Sequence, residues 1–221
     1  MQFIKLKDQA EAVEILAKKI EGYLKQDKKV LWLLSGGSNI LLEVEILNIL
    51  KSKFSESLKE NLAVTLTDER YGNIGHADSN WIQLLQNGFD ISVVRALPVL
   101  CGLEPNETVI KFGKNYRDLE AWADVIIGQF GIGSDGHTAG VLPNTVGVTA
   151  PGTACFYEGG QYQRITLTLK TIRNIDVAYT FAYGDSKKDV VEKLKNESLS
   201  LEEMPAQVLK EVGESYLYSN Y

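Results

Sequence analysis

The sequence lacks several features that mark specialised classes of protein. Its two cysteines, Cys101 and Cys155, are far apart and lack the spacing of metal ligands, so we expect them to be reduced and structural. No apolar run reaches the length that spans a membrane, and residues 1–8 lack the apolar core of a signal peptide. We therefore expect a cytoplasmic protein that does not associate with membranes.

Blocks of basic residues are also missing, and the chain of 221 residues carries a formal net charge of −6. Nucleic acid is therefore not expected as a partner. An anionic substrate would need a local cationic pocket, because the overall field of the protein does not attract it. The 44% of hydrophobic and 24% of charged residues are ordinary for a globular protein, and we expect one domain over residues 1–221, as a monomer or homodimer.

Helical patterns alternate with short apolar runs along most of the chain. Apolar residues at three- and four-residue spacing predict helices over residues 8–27, 40–54, 107–121 and 186–195, with a further helix capped by Ser79. Apolar runs without a polar face predict strands over residues 30–34, 62–66, 93–97, 125–129 and 177–183, and residues 155–169 predict a hairpin. This order predicts an α/β fold in three layers, with a mainly parallel sheet, helices on both faces and short antiparallel additions.

The segment from Gly131 to Gly140, GIGSDGHTAG, places Asp135 and His137 two residues apart in a glycine-rich turn. Glycines let backbone N–H groups approach a ligand closely, and histidine moves protons near neutral pH. The first, third and sixth residues also match the G-x-G-x-x-G pattern of dinucleotide-binding proteins, but that pattern must open a long helix. Pro143 falls where that helix would run, so a nicotinamide or flavin cofactor is not expected.

Two further polar loops follow predicted strands. Ser35-Gly36-Gly37-Ser38 precedes a helix, where free N–H groups can bind phosphate, although the same residues also suit a simple turn. Asp68-Glu69-Arg70 can direct a guanidinium, held by one of its acidic neighbours, into a cleft, or it can form a solvated loop. The carboxyl ends of parallel strands share one edge, so we expect residues 35–39, 67–73 and 131–143 to line one cleft.

Together these motifs resemble the 6-phosphogluconolactonase family, which is related to the glucosamine-6-phosphate deaminases. The resemblance runs from about Val30 to Lys195. It rests on five motifs in the family's order: Ser35–Ser38, Asp68–Arg70 with Ser79-Asn80, Gly131–Ala139, Arg164–Thr168, and Gly184 with Lys187. The chain departs from the family pattern at Gly140, where lactonases usually have serine, and at Asn39-Ile40, where they usually have Thr-Pro.

The resemblance implies hydrolysis of 6-phosphogluconolactone to 6-phosphogluconate, a step of the pentose phosphate pathway, without metal or cofactor. It implies that His137 is the general base toward water and that Asp135 orients His137 or its loop. Arg70 would stabilise the oxyanion or position the substrate. The residues implied to hold the phosphorylated sugar are Ser35, Gly36, Gly37, Ser38, Asp68, Arg164 and Lys187.

Two alternatives stay open. One is an enzyme of the deaminase or isomerase class, which would release ammonia from glucosamine 6-phosphate. Those deaminases differ at the position of Arg70 and carry an acidic residue after the histidine, whereas here no carboxylate follows His137 until Glu158. The other is a non-catalytic sugar-phosphate-binding domain of the kind found in regulators. Such a regulator usually needs an output domain, and the sequence shows neither a helix-turn-helix segment nor a basic face.

Overall fold

A computed structural model of the chain describes residues 1–54 and 58–221. Its strands run over Gln2–Lys5 (β1), Val30–Leu34 (β2), Leu62–Leu66 (β3), Asp68–Arg70 (β4), Arg95–Ala96 (β5), Val125–Phe130 (β6), Ala154–Gly159 (β7), Tyr162–Leu167 (β8), Val177–Ala182 (β9) and Glu214–Ser219 (β10). Within the described residues they form a seven-stranded parallel sheet in the order β1-β10-β9-β6-β2-β3-β5 and a three-stranded antiparallel sheet in the order β4-β8-β7.

The helices connect these strands. They run over Gln9–Leu24 (α1), Ile40–Lys53 (α2), Leu58–Asn61 (α3), Asn80–Gln86 (α4), Pro105–Trp122 (α5), Leu169–Arg173 (α6) and Lys188–Asn196 (α7). Short 3₁₀ segments cover Gly37–Asn39, Ile91–Val93, Asp185–Lys187 and Pro205–Lys210. Ser79 caps α4 as expected, because its side chain accepts a hydrogen bond from the N–H of Ile82 (3.2 Å). Across residues 1–54 and 58–221, no helix is both long and apolar enough to cross a membrane.

The centre of the main sheet is shielded on both faces. Every residue of β2, β3, β6 and β9 is buried, and the largest fully buried side chains include Trp32 and Phe130. Parallel strands without a polar face need a covering layer on each side. The predicted α/β class, with a mainly parallel sheet and short antiparallel additions, is confirmed.

The order in which the chain adds strands to the sheet reverses between β2 and β6, which makes this a topological switch point. From β2 it proceeds to β3 and β5 on one side, and it then returns to β6, β9 and β10 on the other side. In open α/β sheets such a reversal leaves a crevice at the carboxyl ends of the two strands, because the connections leave in opposite directions. The loops that begin at Ser35 and Gly131 leave β2 and β6 at this crevice.

Thr67 joins the two sheets at the same edge. Its N–H donates to the carbonyl of Leu34 in β2 (2.7 Å), and its carbonyl accepts from the N–H of Leu167 in β8 (2.9 Å). The next residue, Asp68, begins β4, which pairs with β8. The antiparallel sheet is thereby held over the carboxyl edge of the parallel one.

Three parts of the chain differ from the predicted pattern. The strand predicted over 93–97 is reduced to β5, because the Asp90 side chain accepts from the N–H of Ser92 (3.0 Å) and fixes a 3₁₀ turn at Ile91–Val93. The predicted hairpin is present, but its second strand ends at Leu167, where α6 follows. β1 and β10 were not predicted: β1 pairs with β10 from the other end of the chain, and β10 lies between β1 and β9 in the sheet.

We expect β10 to contribute strongly to stability through Leu217, which is fully buried in one cluster with Val190 and Leu194 of α7 and Ile132 of the glycine-rich loop. Leu217→Ala should lower the free energy of unfolding by about 2–5 kcal/mol, because it leaves a cavity among packed side chains. Urea unfolding measures this loss. Ile110→Ala is the control, since Ile110 is 71% exposed and should change stability little. Equal effects of the two substitutions would contradict the packing of β10.

Candidate active site

The carboxyl ends of β2, β3, β6 and β9 open into one cleft with a volume of about 250 Å³. The three loops expected from the sequence meet there, together with residues of β8 and α4. The cleft is lined by Ser35, Gly36, Gly37, Ser38, Asn39, Asp68, Arg70, Asn80, Gly131, Ile132, Gly133, His137, Ala139, Gly140, Arg164 and Lys187. Of the expected site residues, Asp135 alone is outside this lining, and it contacts His137.

The first loop turns from β2 into α2 through the 3₁₀ segment Gly37–Asn39. N–H groups at the start of a helix have no partner within the helix, and the helix dipole makes this end electropositive. Ser35 uses both of its donors inside the protein: its N–H donates to Oε1 of Glu43 (2.6 Å) and its hydroxyl to the carbonyl of Gln129 (2.7 Å). Ser35 therefore anchors the loop, and the donors that the loop can offer a ligand are those of Gly36–Ser38.

Asn80 connects the first loop to the second. Its Nδ2 donates to the carbonyl of Asp68 (3.0 Å), and its Oδ1 lies so close to Gly36 that a Cβ atom on that glycine would overlap it. The sequence marks Asn80 only as part of a family motif. Its contact with the first loop could not be read from the sequence, because it depends on how α4 docks.

Glu69 is fully buried and supports the second loop from behind. Its carboxyl group accepts hydrogen bonds from the hydroxyl of Ser79 (2.8 Å) and from the N–H groups of Arg70 (2.7 Å), Asn80 (2.6 Å) and Trp81 (3.0 Å). Burial raises the pKa of Glu69, and these four donors act in the opposite direction. Glu69 therefore attaches β4 to the start of α4.

Arg70 and Arg164 lie directly opposite each other on β4 and β8. Arg70 Nη1 donates to the carbonyl of Asp78 (2.9 Å), and Arg164 Nε donates to the carbonyl of Gly159 (3.1 Å). Asp68 Oδ2 lies 3.9 Å from Arg164 Nη1. The cleft thus holds two guanidinium groups side by side, with one carboxylate next to Arg164.

The expectation that an acidic neighbour in its own motif holds the Arg70 guanidinium is wrong. Successive side chains of a strand point to opposite faces, so Glu69 is directed to α4 and away from Arg70. Asp68 shares the face of Arg70 but lies next to Arg164 of the neighbouring strand. Asp68 therefore contacts an arginine of the neighbouring strand and not the arginine of its own motif, and the sequence does not reveal this pairing.

His137 and Asp135 form a pair in the third loop. Asp135 Oδ1 lies 2.6 Å from His137 Nδ1 and also accepts the N–H of His137 (3.1 Å). Burial opposes the ionisation of Asp135, but the hydrogen bonds and the charge of His137 outweigh it, so the pKa of Asp135 lies below its ordinary value. With Nδ1–H donating to the carboxylate, Nε2 of His137 is left as a proton acceptor.

The glycines of this loop shape a turn. The N–H of Gly133 donates to the carbonyl of His137 (2.9 Å), and a Cβ atom on Gly133 would overlap the imidazole ring and the carboxylate of Asp135. Residues 131–153 form turns without a helix. The dinucleotide-binding interpretation therefore fails in the structure for the reason expected from the sequence, since no helix begins where the pyrophosphate would need one.

Lys187 reaches the cleft from the segment that follows β9. Its Nζ donates to the carbonyl of Ile132 (2.6 Å), and its side chain is half-buried. Lys188, the next residue, is exposed. Lys187 is therefore held at the cleft, whereas Lys188 is a surface charge.

The cleft is locally cationic although the chain carries a net charge of −6. Arg70, Arg164 and Lys187 line it, and among the described residues Asp68 is the acidic member of the lining. This is the local cationic pocket that an anionic ligand requires. Within residues 1–54 and 58–221, the cleft included, no three His, Cys, Asp or Glu side chains gather where they could hold a metal ion.

A comparison with known protein families identifies the family of this chain. A family model described as "Glucosamine-6-phosphate isomerases/6-phosphogluconolactonase" matches residues 7–217. The chain belongs to this family. The resemblance stated from its motifs is confirmed, and the match extends beyond them at both ends, to include α1 and most of β10.

Curated proteins and solved structures are similar to this chain. A 6-phosphogluconolactonase of Helicobacter pylori is 26% identical over 190 residues, which cover 79% of this chain and 76% of the relative. The crystal structure of 6-phosphogluconolactonase from Thermotoga maritima has a TM-score of 0.82 at 19% identity and covers 99% of this chain and 98% of its own. A monomeric glucosamine-6-phosphate deaminase has a TM-score of 0.81 at 16% identity, with coverages of 99% and 97%. The lactonase and the deaminase share this fold, so the fold does not distinguish the two activities, and only the residues of the site can do so.

Tyr162 is a neighbour of the site that sequence reasoning missed. The centre of its ring lies 5.1 Å from the guanidinium carbon of Arg70 and 5.4 Å from that of Arg164. A signal for it exists in the sequence. Tyr162 precedes Arg164 by two residues on one strand, so the two side chains share a face.

Glu43 is a buried acid beneath the first loop. Its side chain is fully buried, and within the described residues Oε2 makes no hydrogen bond. Burial raises the pKa of Glu43 well above its ordinary value; the N–H of Ser35 opposes this shift, and the charge of Asp68 adds to it.

We predict that Glu43→Gln gains stability relative to the unmodified protein as the pH rises, because the amide takes up no proton on folding; the gain is about 1.4 kcal/mol for each pH unit between the unfolded and folded pKa values of Glu43. Glutamine has the shape of the protonated acid. Because the pKa of Glu43 is higher in the folded than in the unfolded chain, its contribution to the free energy of unfolding is greatest below about pH 4.3 and declines as the pH rises toward the folded-state pKa.

Urea unfolding between pH 4 and pH 8 measures this difference. The gain from Glu43→Gln should grow with pH over that range. Glu45→Gln, on the exposed side of the same helix, is the matched control and should show no such growth. A constant difference between Glu43→Gln and the unmodified protein would contradict the raised pKa.

Proposed function

We propose that this chain hydrolyses 6-phosphogluconolactone to 6-phosphogluconate. The observation that carries the proposal is the His137–Asp135 pair, which leaves Nε2 as a proton acceptor, in a cleft lined by three cationic side chains. The Helicobacter pylori relative and the Thermotoga maritima structure bear the name of this activity, and the chain belongs to their family. A lactone is a reactive ester, so one base that activates water can open it.

The phosphate end of the substrate is assigned to the loop that begins α2. The N–H groups of Gly36–Ser38 and the helix dipole favour an anion there, and Arg164 and Lys187 supply charge from two other elements. Ser35 maintains the loop, and Asp68 orients Arg164. Binding energy from this remote group can hold the ester in position for attack.

The reactive end is assigned to the third loop. Nε2 of His137 takes a proton from water, whose oxygen bonds to the lactone carbonyl carbon. The carbonyl oxygen becomes an oxyanion beside Arg70, and one such donor is worth about 3 kcal/mol in other enzymes. As the ring C–O bond breaks, the imidazolium returns the proton to the leaving oxygen. Asp135 stabilises the imidazolium and keeps the ring in the required tautomer.

We predict that His137→Ala lowers kcat by about 10²–10⁴-fold, the usual contribution of a general base. The assay follows lactone hydrolysis by the purified protein, with the rate without enzyme subtracted. Undiminished activity of the variant would remove His137 from the mechanism. Release of ammonia from glucosamine 6-phosphate by the unmodified protein, without lactone hydrolysis, would replace the proposal with the deaminase alternative. Binding of phosphosugars without turnover of either substrate would indicate the non-catalytic alternative.

We also predict that Lys187→Ala raises KM for the lactone by about 10- to 150-fold, since a charge-assisted hydrogen bond is worth about 1.5–3 kcal/mol. Its kcat should change much less, because the phosphate is remote from the reacting carbonyl. Lys188→Ala is the matched control, because it removes the adjacent exposed lysine, and its KM should stay unchanged. The same rise in KM for both variants would show that Lys187 acts only through the general charge of the surface.

A further inference from the structure

Tyr162 and the two arginines of the cleft share one face of the antiparallel sheet. Arg70 and Arg164 are cross-strand partners, and Tyr162 lies two residues before Arg164 on β8, diagonal to Arg70. Diagonal neighbours on one face are within reach of each other when their side chains are long or aromatic. The distances of 5.1 and 5.4 Å from the ring centre to the two guanidinium carbons fall within the range of cation–π contacts.

The arginines need such support, since two like charges lie directly opposite each other. The polar contacts of Arg70 are sparse: its guanidinium donates once, from Nη1 to the carbonyl of Asp78, and within the described residues its buried Nε makes no hydrogen bond. Arg164 has the carbonyl of Gly159 and, at 3.9 Å, Asp68. The electron-rich ring of Tyr162 is the one side chain in cation–π contact with both guanidinium groups in the described structure.

We propose that Tyr162 is a positioning residue, whose ring holds Arg70 and Arg164 in the orientation that the substrate requires. This inference rests on the proposed function. A flexible arginine loses rotamer freedom when it binds an anion, and a side chain that is already held loses less. Through Arg164 the ring lowers KM for the phosphorylated lactone, and through Arg70 it supports the reacting end.

The contacts of Tyr162 indicate that it acts through its ring and through the arginines. Among the described residues it is not part of the cleft lining, whereas both arginines are. Its side chain is half-buried, and within the same residues its hydroxyl makes no hydrogen bond. Phenylalanine, which keeps the ring without the hydroxyl, should therefore hold the two arginines as well as tyrosine does.

The test compares Tyr162→Val and Tyr162→Phe in the lactonase assay. Valine suits a strand but has no π-system. We expect Tyr162→Val to raise KM about five- to tenfold and to lower kcat about two- to fivefold, from the loss of two cation–π contacts. Tyr162→Phe should stay within about twofold of the unmodified protein in both parameters. If the valine variant does not fold, Tyr162→Leu repeats the comparison with a larger apolar side chain.

Tyr71→Val is the matched control. Tyr71 follows β4 directly and packs edge-on against Phe156 of β7, with ring centres 5.7 Å apart. It makes no cation–π contact with either arginine in the described structure. The same substitution there should lower the stability of this sheet and leave KM unchanged, so a rise in KM from general loosening of the sheet would appear in both variants.

A double-mutant cycle with Arg164→Ala separates positioning from a merely structural role. Where Arg164 is absent, Tyr162→Val should raise KM less than it does in the unmodified background, because one of its two contacts is already gone. Effects that multiply fully would overturn the proposal. An unchanged KM and kcat in Tyr162→Val would overturn it too, as would a Tyr162→Phe variant that is as impaired as the valine variant.

Calorimetric titration with inorganic phosphate keeps this inference distinct from the proposed function. If the unmodified protein does not hydrolyse the lactone, the proposed function fails, and phosphate affinity still measures how the arginines are held. Tyr162→Val should then weaken phosphate binding by about two- to fivefold relative to Tyr162→Phe. Equal affinities of the two variants would overturn the positioning role independently of any turnover.

Discussion

The parallel pairing of β2 with β6 is the constraint on which the cleft depends. Val30–Leu33 pair with Val125–Gly128, although the chain visits β3 and β5 between them. The two connections therefore leave the shared edge in opposite directions, one into the Ser35 loop and the other into the Gly131 loop. Thr67 then fixes the antiparallel sheet above this opening, and that sheet contributes both arginines. The glycine-rich loop before α2, a histidine and two guanidinium groups meet because of this topology.

Charge around the cleft is arranged so that an acidic protein has a cationic pocket. The acidic side chains near it are occupied or buried: Glu69 accepts four hydrogen bonds at the start of α4, Asp135 pairs with His137, and Asp68 lies beside Arg164. Burial raises the pKa of Glu43 beneath the first loop, which disfavours a negative charge there. Arg70, Arg164 and Lys187 therefore dominate the electrostatic potential in the cleft, and this potential favours an anionic ligand.

The sequence predicts those parts of the molecule that local chemistry determines. Buried strands such as Val30–Leu34 have no polar face, Ser79 has the side chain of a helix cap, and Pro143 rules out a helix after the glycine-rich turn. Contacts between distant segments escape it. β1 pairs with β10 from the other end of the chain, Asp68 meets Arg164 and not Arg70, and Tyr162 lies beside Arg70 only after β4 pairs with β8. Family motifs supplied the candidate residues, and the structure supplied their partners.

The central claim is the direction in which the substrate lies: its phosphate at the start of α2 and its carbonyl carbon at His137. A crystal structure with bound 6-phosphogluconate tests this most directly, because the product carries a phosphate and a carboxylate at opposite ends. We predict the phosphate against Gly36–Ser38, Arg164 and Lys187, with the carboxylate within hydrogen-bond distance of His137 Nε2. A product bound in the reverse direction, or with its carboxylate away from His137, would contradict it.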